Sequence, residues 1–133
     1  MFSKAEYEQI GKKIIQASFE VHKELGPGLL ESVYEICLAE ELIQMGLGVE
    51  RQVKLPVIYK GTELNKEFFI DLLVEKSIVI ELKAVEVLLP VHEVQLLTYM
   101  KLADIKLGYL INFNVPLIKQ GIKRKVNSYF INS

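Results

Sequence analysis

The stretch FFIDLLVEKSIVIELKAVE, residues 68–86, sets three ionisable side chains, Asp71, Glu81 and Lys83, inside two aliphatic runs. Burying a charge without a partner is costly, so these positions call for a chemical reason. With a turn at Glu75-Lys76-Ser77, Val74 faces Ile78, Asp71 falls opposite Glu81, and Phe69 falls opposite Lys83. Side-chain alternation then puts Ile70, Leu72, Val74, Ile78, Ile80 and Leu82 on one aliphatic face and Asp71, Glu81 and Lys83 on the other. Opposed residues have Cβ atoms about 4.5–5.5 Å apart, where two like charges repel unless a cation lies between them. Lys83 supplies one positive charge. Two carboxylates, a nearby carbonyl and water are the hard oxygen ligands of Mg²⁺ or Mn²⁺. The alternative is a salt bridge from Lys83 to one acid, with the other acid protonated or solvated.

Other polar residues fall at helical spacings. In GPGLLESVYEICLAEEL, Gly28, Glu31 and Tyr34 are three apart, so Glu31 and Tyr34 adjoin on one helix face. Glu31 either complements the positive end of the helix or faces a metal, and Tyr34 taken alone is a packing residue. In HEVQLLTYMK, His92, Gln95 and Tyr99 share a stripe while Leu96, Leu97 and Met100 form apolar surface. Such a stripe is either a solvated helix face or the wall of a site, and the same two alternatives hold for His22 at the end of the first helix. The run Lys119, Lys123, Arg124 and Lys125 is either a solvated face or a set of phosphate contacts.

These residues must be held by one domain spanning 1–133, long enough for a single core without disulfide staples. Half the residues are hydrophobic and a quarter charged, which sets disorder aside. A net charge of −1 provides no global field for nucleic acid, so binding would use local patches. The lone Cys37 cannot bridge internally and reads as a small buried hydrophobe. No segment reaches the roughly 20 apolar residues of a membrane helix, and the N-terminal residues show no apolar leader, so a cytoplasmic protein without membrane partners is expected.

Helical periodicity covers about Ser3–Leu25, about Leu29–Met45 and about Val91–Ala103, with stops at Gly26-Pro27-Gly28 and Gly46-Leu47-Gly48. Strands are predicted at Val49–Tyr59, about Glu67–Val74, Ile78–Ala84 and Leu107–Phe113. In the first of these, Val49, Val53, Leu55, Val57 and Tyr59 lie on one face, and Pro56 marks an edge or a bulge. The order ααβββαβ, followed by a basic tail segment, predicts a mixed α/β sheet of four strands. The helical crossover lets the last strand join in parallel.

An acid on an early helix, Asp71 on one strand, Glu81-x-Lys83 on the next and Gln95-x-x-x-Tyr99 on the following helix together resemble the PD-(D/E)XK nuclease superfamily. More narrowly, GPGLLESVYE, IDLLVEKSIVIELKAVE, HEVQLLTYMKL and GYLINFNVPLIKQGIKR resemble the small bacterial GxxExxY proteins, from about Val21 to Val126. Ile70 stands where the superfamily name has Pro. The resemblance implies a restriction-endonuclease-like core in which Glu31, Asp71, Glu81 and the Leu82 carbonyl face Mg²⁺ or Mn²⁺. It gives Lys83 the attacking water or the developing phosphorane charge, and Gln95 and Tyr99 phosphate, base or metal-bound water. Tyr34, His92 and the four basic residues are secondary substrate contacts, with helix capping the alternative for His92.

The implied activity is metal-dependent hydrolysis of DNA or RNA phosphodiesters. A homodimer would extend the footprint of so small a domain. Two other readings fit the same residues: a non-catalytic module that binds nucleic acid or protein, and a metal-dependent hydrolase of a small phosphorylated substrate.

Overall fold

In the computed structural model, which describes residues 2–127, the helices are α1 (Lys4–Leu25), α2 (Glu31–Gln44) and α3 (Pro90–Leu102). The strands are β1 (Val49–Tyr59), β2 (Thr62–Val74), β3 (Ile78–Lys83), β4 (Leu107–Asn112) and β5 (Ile122–Val126), with a 3-10 turn at Ile118–Gly121. They form one five-stranded sheet of order β1-β2-β3-β4-β5. All neighbours are antiparallel except β3 and β4, which α3 connects as a parallel crossover.

The fifth strand corrects the expectation of four. Its sequence, IKRKV, offers no apolar run, so its charges read as a tail. Ile122 and Val126 nevertheless pack against the core as β5 pairs with β4. A short, Lys-rich strand suits a sheet edge because its charges discourage pairing with another chain. Strand β2 also begins earlier than predicted, at Thr62 instead of about Glu67. The polar TELNK stretch has no alternation to announce a strand, but a tight turn at Lys60 (φ 48°) and Gly61 (φ 80°) zips it onto β1.

Helices α1 and α2 cover one side of the sheet, where Ile14, Ala17, Tyr34, Leu38 and Leu42 pack with Leu72, Val74, Ile78, Ile80 and Leu82. Helix α3 covers the other with Leu96, Tyr99 and Met100 against Val79 and Leu110. Close approach of α3 to β4 depends on Gly108, where a Cβ would stand 2.6 Å from Met100 Sδ. Strand β4 is buried along its whole length, the pattern of a strand covered on both faces.

Two face assignments change at one place. Val53 and Leu55 pack with the α3 cluster whereas Val49 packs with the α1–α2 cluster, and Ile70 likewise joins the α3 cluster while Leu72 and Val74 remain with α1 and α2. Between them sits Gln52 at φ 53°, a left-handed conformation that interrupts strict alternation. The predicted irregularity at Pro56 is present as a register shift between Pro56 and Ile58 on the edge strand β1.

Candidate active site

The parallel strands β3 and β4 end side by side, and the candidate residues gather at those carboxyl ends, the usual position for a site in an open α/β sheet. The β2–β3 register runs Val74↔Ile78, Leu73↔Val79, Leu72↔Ile80, as the Glu75-Lys76-Ser77 turn requires. One residue beyond, side chains enter the ladder. The Asp71 N–H donates to Glu81 Oε1 at 3.2 Å, and the Leu82 N–H donates to Asp71 Oδ2 at 2.8 Å.

Glu81 is 5 % exposed, so its carboxyl has left water. Burial pushes it up to about 9, helped by the charge and side-chain contact of Asp71 and opposed by the Asp71 N–H and by Lys83. Burial first, and then the Asp71 charge, therefore favours the protonated form of Glu81 at neutral pH. Glu31, in the first turn of α2, is also raised, first by burial and then by Asp71 and Glu35, against the pull of Lys83. Helix α2 therefore brings Glu31 within electrostatic reach of the hairpin charges.

The other wall comes from α3. Gln95 Nε2 donates to the Tyr99 hydroxyl at 3.2 Å. The Tyr99 phenol is raised by burial and then by the charges of Glu81 and Asp71. Lys83 is positioned through the neighbouring strand: the Phe113 N–H donates to the Lys83 carbonyl at 3.0 Å, and Lys83 pairs with Asn112. Glu31, Asp71, Glu81, Lys83, Gln95 and Tyr99 thus lie around the same end of the sheet.

A family model of the PD-(D/E)XK nuclease superfamily matches residues 8–125. This chain belongs to that superfamily. Searches of curated proteins and of solved structures return no significant match. The superfamily assignment agrees with the α/β architecture, a mixed sheet between helices.

The donor set is of the kind a hard divalent cation takes: Asp71 and Glu81 offer carboxylate oxygens, and Glu81 is raised to about 9 by burial and then by the Asp71 charge. Among the described residues no group of three or more His, Cys, Asp and Glu is gathered closely enough to hold a metal ion. Asp71 and Glu81 are joined through the ladder, while Glu31 stands apart on α2. Leu82 presents its N–H to Asp71, and its side chain is buried in the core.

Several expected substrate contacts have other work in this structure. Tyr34 is fully buried, stacked on Phe113 at 4.6 Å; its hydroxyl donates to the Gly26 carbonyl at 2.6 Å and accepts from the Leu29 N–H at 3.1 Å. It holds the loop that launches Glu31, and Gly26 and Gly28 adopt positive φ there. His92 caps its own helix, Nδ1 accepting from the Leu89 N–H at 3.0 Å. His22 Nε2 lies 2.8 Å from the Val115 carbonyl, tying α1 to the segment after β4.

The basic residues do not form one patch, because strand alternation divides them. Lys125 bonds Glu93 on α3 at 2.6 Å, with Lys123 close enough to act on the same acid. Arg124 meets Tyr109 across the strand, beside α1. Lys119 is exposed on the 3-10 turn.

Three polar residues near the site were not singled out from sequence. Glu35, one turn after Glu31, is buried and accepts from Arg51 Nε and Nη2 at 3.1 and 2.9 Å and from Gln52 Nε2 at 2.6 Å. Gln52 Nε2 also donates to Asp71 Oδ1 at 3.2 Å, so both Asp71 oxygens are oriented. Buried Asn112 binds Val85 through both ends of its amide, at 3.1 and 2.9 Å, and fixes the chain leaving Lys83. The available signals were Glu35 on the Glu31 stripe and an Asn inside the aliphatic run LGYLIN. Gln52 had none.

Proposed function

We propose that this protein is a nuclease that hydrolyses phosphodiester bonds of DNA or RNA with Mg²⁺ or Mn²⁺, of the GxxExxY type within the superfamily. The observation that carries this reading is the Asp71–Glu81 pair, a buried acid raised to about 9 beside a second acid, at the carboxyl ends of the parallel strands. Asp71 and Glu81, with Glu31 and the Leu82 carbonyl, would hold the cation. When bound, it supplies Lewis-acid neutralisation of phosphate charge and a lowered pKa of water.

The chain's own groups do the rest. Lys83 orients the attacking water and stabilises negative charge as it grows on the phosphate oxygens. Gln95 and Tyr99 donate hydrogen bonds to the substrate from the α3 wall. Gln52 and the Leu82 N–H hold the Asp71 carboxylate in one orientation, which preserves the geometry on which in-line displacement depends. Lys119, Lys123, Arg124 and Lys125 contribute phosphate contacts outside the reacting centre. No described helix is long and apolar enough to cross a membrane, and a cytoplasmic setting suits a nucleic-acid substrate.

The separation of the basic residues onto two faces favours a second reading, a metal-dependent hydrolase of a small phosphorylated substrate that needs no long basic groove. Cleavage of single- and double-stranded DNA and RNA with Mg²⁺ or Mn²⁺, beside Asp71→Ala and Lys83→Ala, tests the first. Cleavage dependent on metal and on both residues is expected. Silence on all four nucleic acids with hydrolysis of small phosphodiesters would favour the second, and binding insensitive to EDTA and to Asp71→Ala would favour a non-catalytic module.

A further inference from the structure

Phe68, on β2 three residues before Asp71, is 41 % exposed, and its ring lies 5.9 Å from that of Tyr99, tilted by 53°. Tyr99 in turn accepts from Gln95 and belongs to the wall of the candidate active site. Three residues of strand span about 10 Å, so the exposed aromatic lies within reach of the nucleotide beside a phosphate held at Asp71 and Glu81. Phe69 is equally exposed but alternates to the opposite side of β2, away from α3.

The charge distribution makes a stacking contact consequential. The net charge is −1, Lys125 is paired with Glu93 and Arg124 lies on the other face, so the basic residues of this sheet edge do not make one continuous track along which to grip a backbone. Base–aromatic stacking is the other general means of holding a strand, and it accepts any base because every base has a π face. Within a duplex those faces are already covered by neighbouring bases.

We propose that Phe68 is a stacking platform for an unpaired base next to the scissile phosphate, so that the substrate is single-stranded nucleic acid or an unpaired segment of it. This rests on the nuclease reading above and adds the substrate class. Phe68 is a positioning residue; it reaches the base and leaves the reacting phosphate to the carboxylates.

The chain contains no Trp, so Phe68→Trp introduces a unique fluorophore at the platform. Its emission is followed while oligothymidylate, an abasic deoxyribose-phosphate oligomer of equal length, or a blunt duplex is added, with Ca²⁺ in place of Mg²⁺ to spare the probe. Quenching by oligothymidylate alone is expected. By anisotropy of a labelled oligothymidylate, Phe68→Ala should bind roughly five- to a hundred-fold more weakly than wild type, Phe68→Leu should not restore binding, and Phe69→Ala should bind as wild type does. Equal quenching by the abasic oligomer, or unchanged binding by Phe68→Ala, overturns the stacking role while leaving the nuclease reading standing. Absence of binding to every nucleic acid together with absence of cleavage overturns both.

Discussion

Asp71 gives its backbone N–H to Glu81 Oε1 and receives the N–H of Leu82, Glu81's neighbour, on its own Oδ2. Two acids thereby replace a rung of the β2–β3 ladder. The same contacts that seat the carboxylates also satisfy buried backbone amides, so stability and chemistry share this pair.

Asp71→Asn separates the two. The amide oxygen still accepts from Leu82, while the negative charge is gone and the amide NH2 faces the Gln52 Nε2 donor, so the variant should lose less stability in urea than Asp71→Ala. Hydrolysis should fall by about 10²-fold or more. Asp71→Ala, which also orphans the Leu82 N–H, should lose a further stability increment of about 1–3 kcal/mol in the same urea experiment.

The raised Glu81 carboxyl has a definite consequence for pH. Its folded-state value is about 9, against an ordinary 4.5, so between those limits the folded chain binds more protons than the unfolded chain. Stability of the metal-free protein is therefore highest below about pH 4.5 as far as this group is concerned, falls as pH rises toward 9, and levels beyond it. Glu81→Gln should flatten that slope. Urea midpoints in EDTA at several pH values compare the two proteins.

Tyr34→Phe keeps the ring stack on Phe113 and removes the hydroxyl that joins Gly26 to Leu29. Chemical denaturation should show a loss of about 1–3 kcal/mol. Because the loop it ties precedes Glu31, hydrolysis should decline as well, through a lower rate at saturating substrate.

At Gln52 the backbone and the side chain pull apart. Both Gln52→Gly and Gln52→Ala abolish the bridge between Glu35 and Asp71, but only Gly relieves the left-handed φ of 53°. The Gly variant should be more stable than the Ala variant by about 1 kcal/mol, measured by thermal or urea unfolding, with both impaired in hydrolysis.

The hairpin was legible in the sequence because the turn at Glu75-Lys76-Ser77 sets the register outward from Val74, and the observed register agrees up to Leu72↔Ile80; beyond it Ile70 crosses to the α3 side, which alternation did not foretell. The helical stripe from Gln95 to Tyr99 and the early position of Glu31 were readable for a similar reason, since each depends on spacing within one element. Strand β5 was not, because the pairing partner that turns IKRKV into a strand lies across the sheet in β4. Tertiary structure alone decided that Tyr34 is a buried tie, that Lys125 answers Glu93 while Arg124 faces away, and that Gln52 turns left-handed beside Asp71. Local periodicity sets which residues can share a face. Whether a polar atom then meets substrate, solvent or a backbone amide depends on groups distant in sequence, whose approach only packing determines.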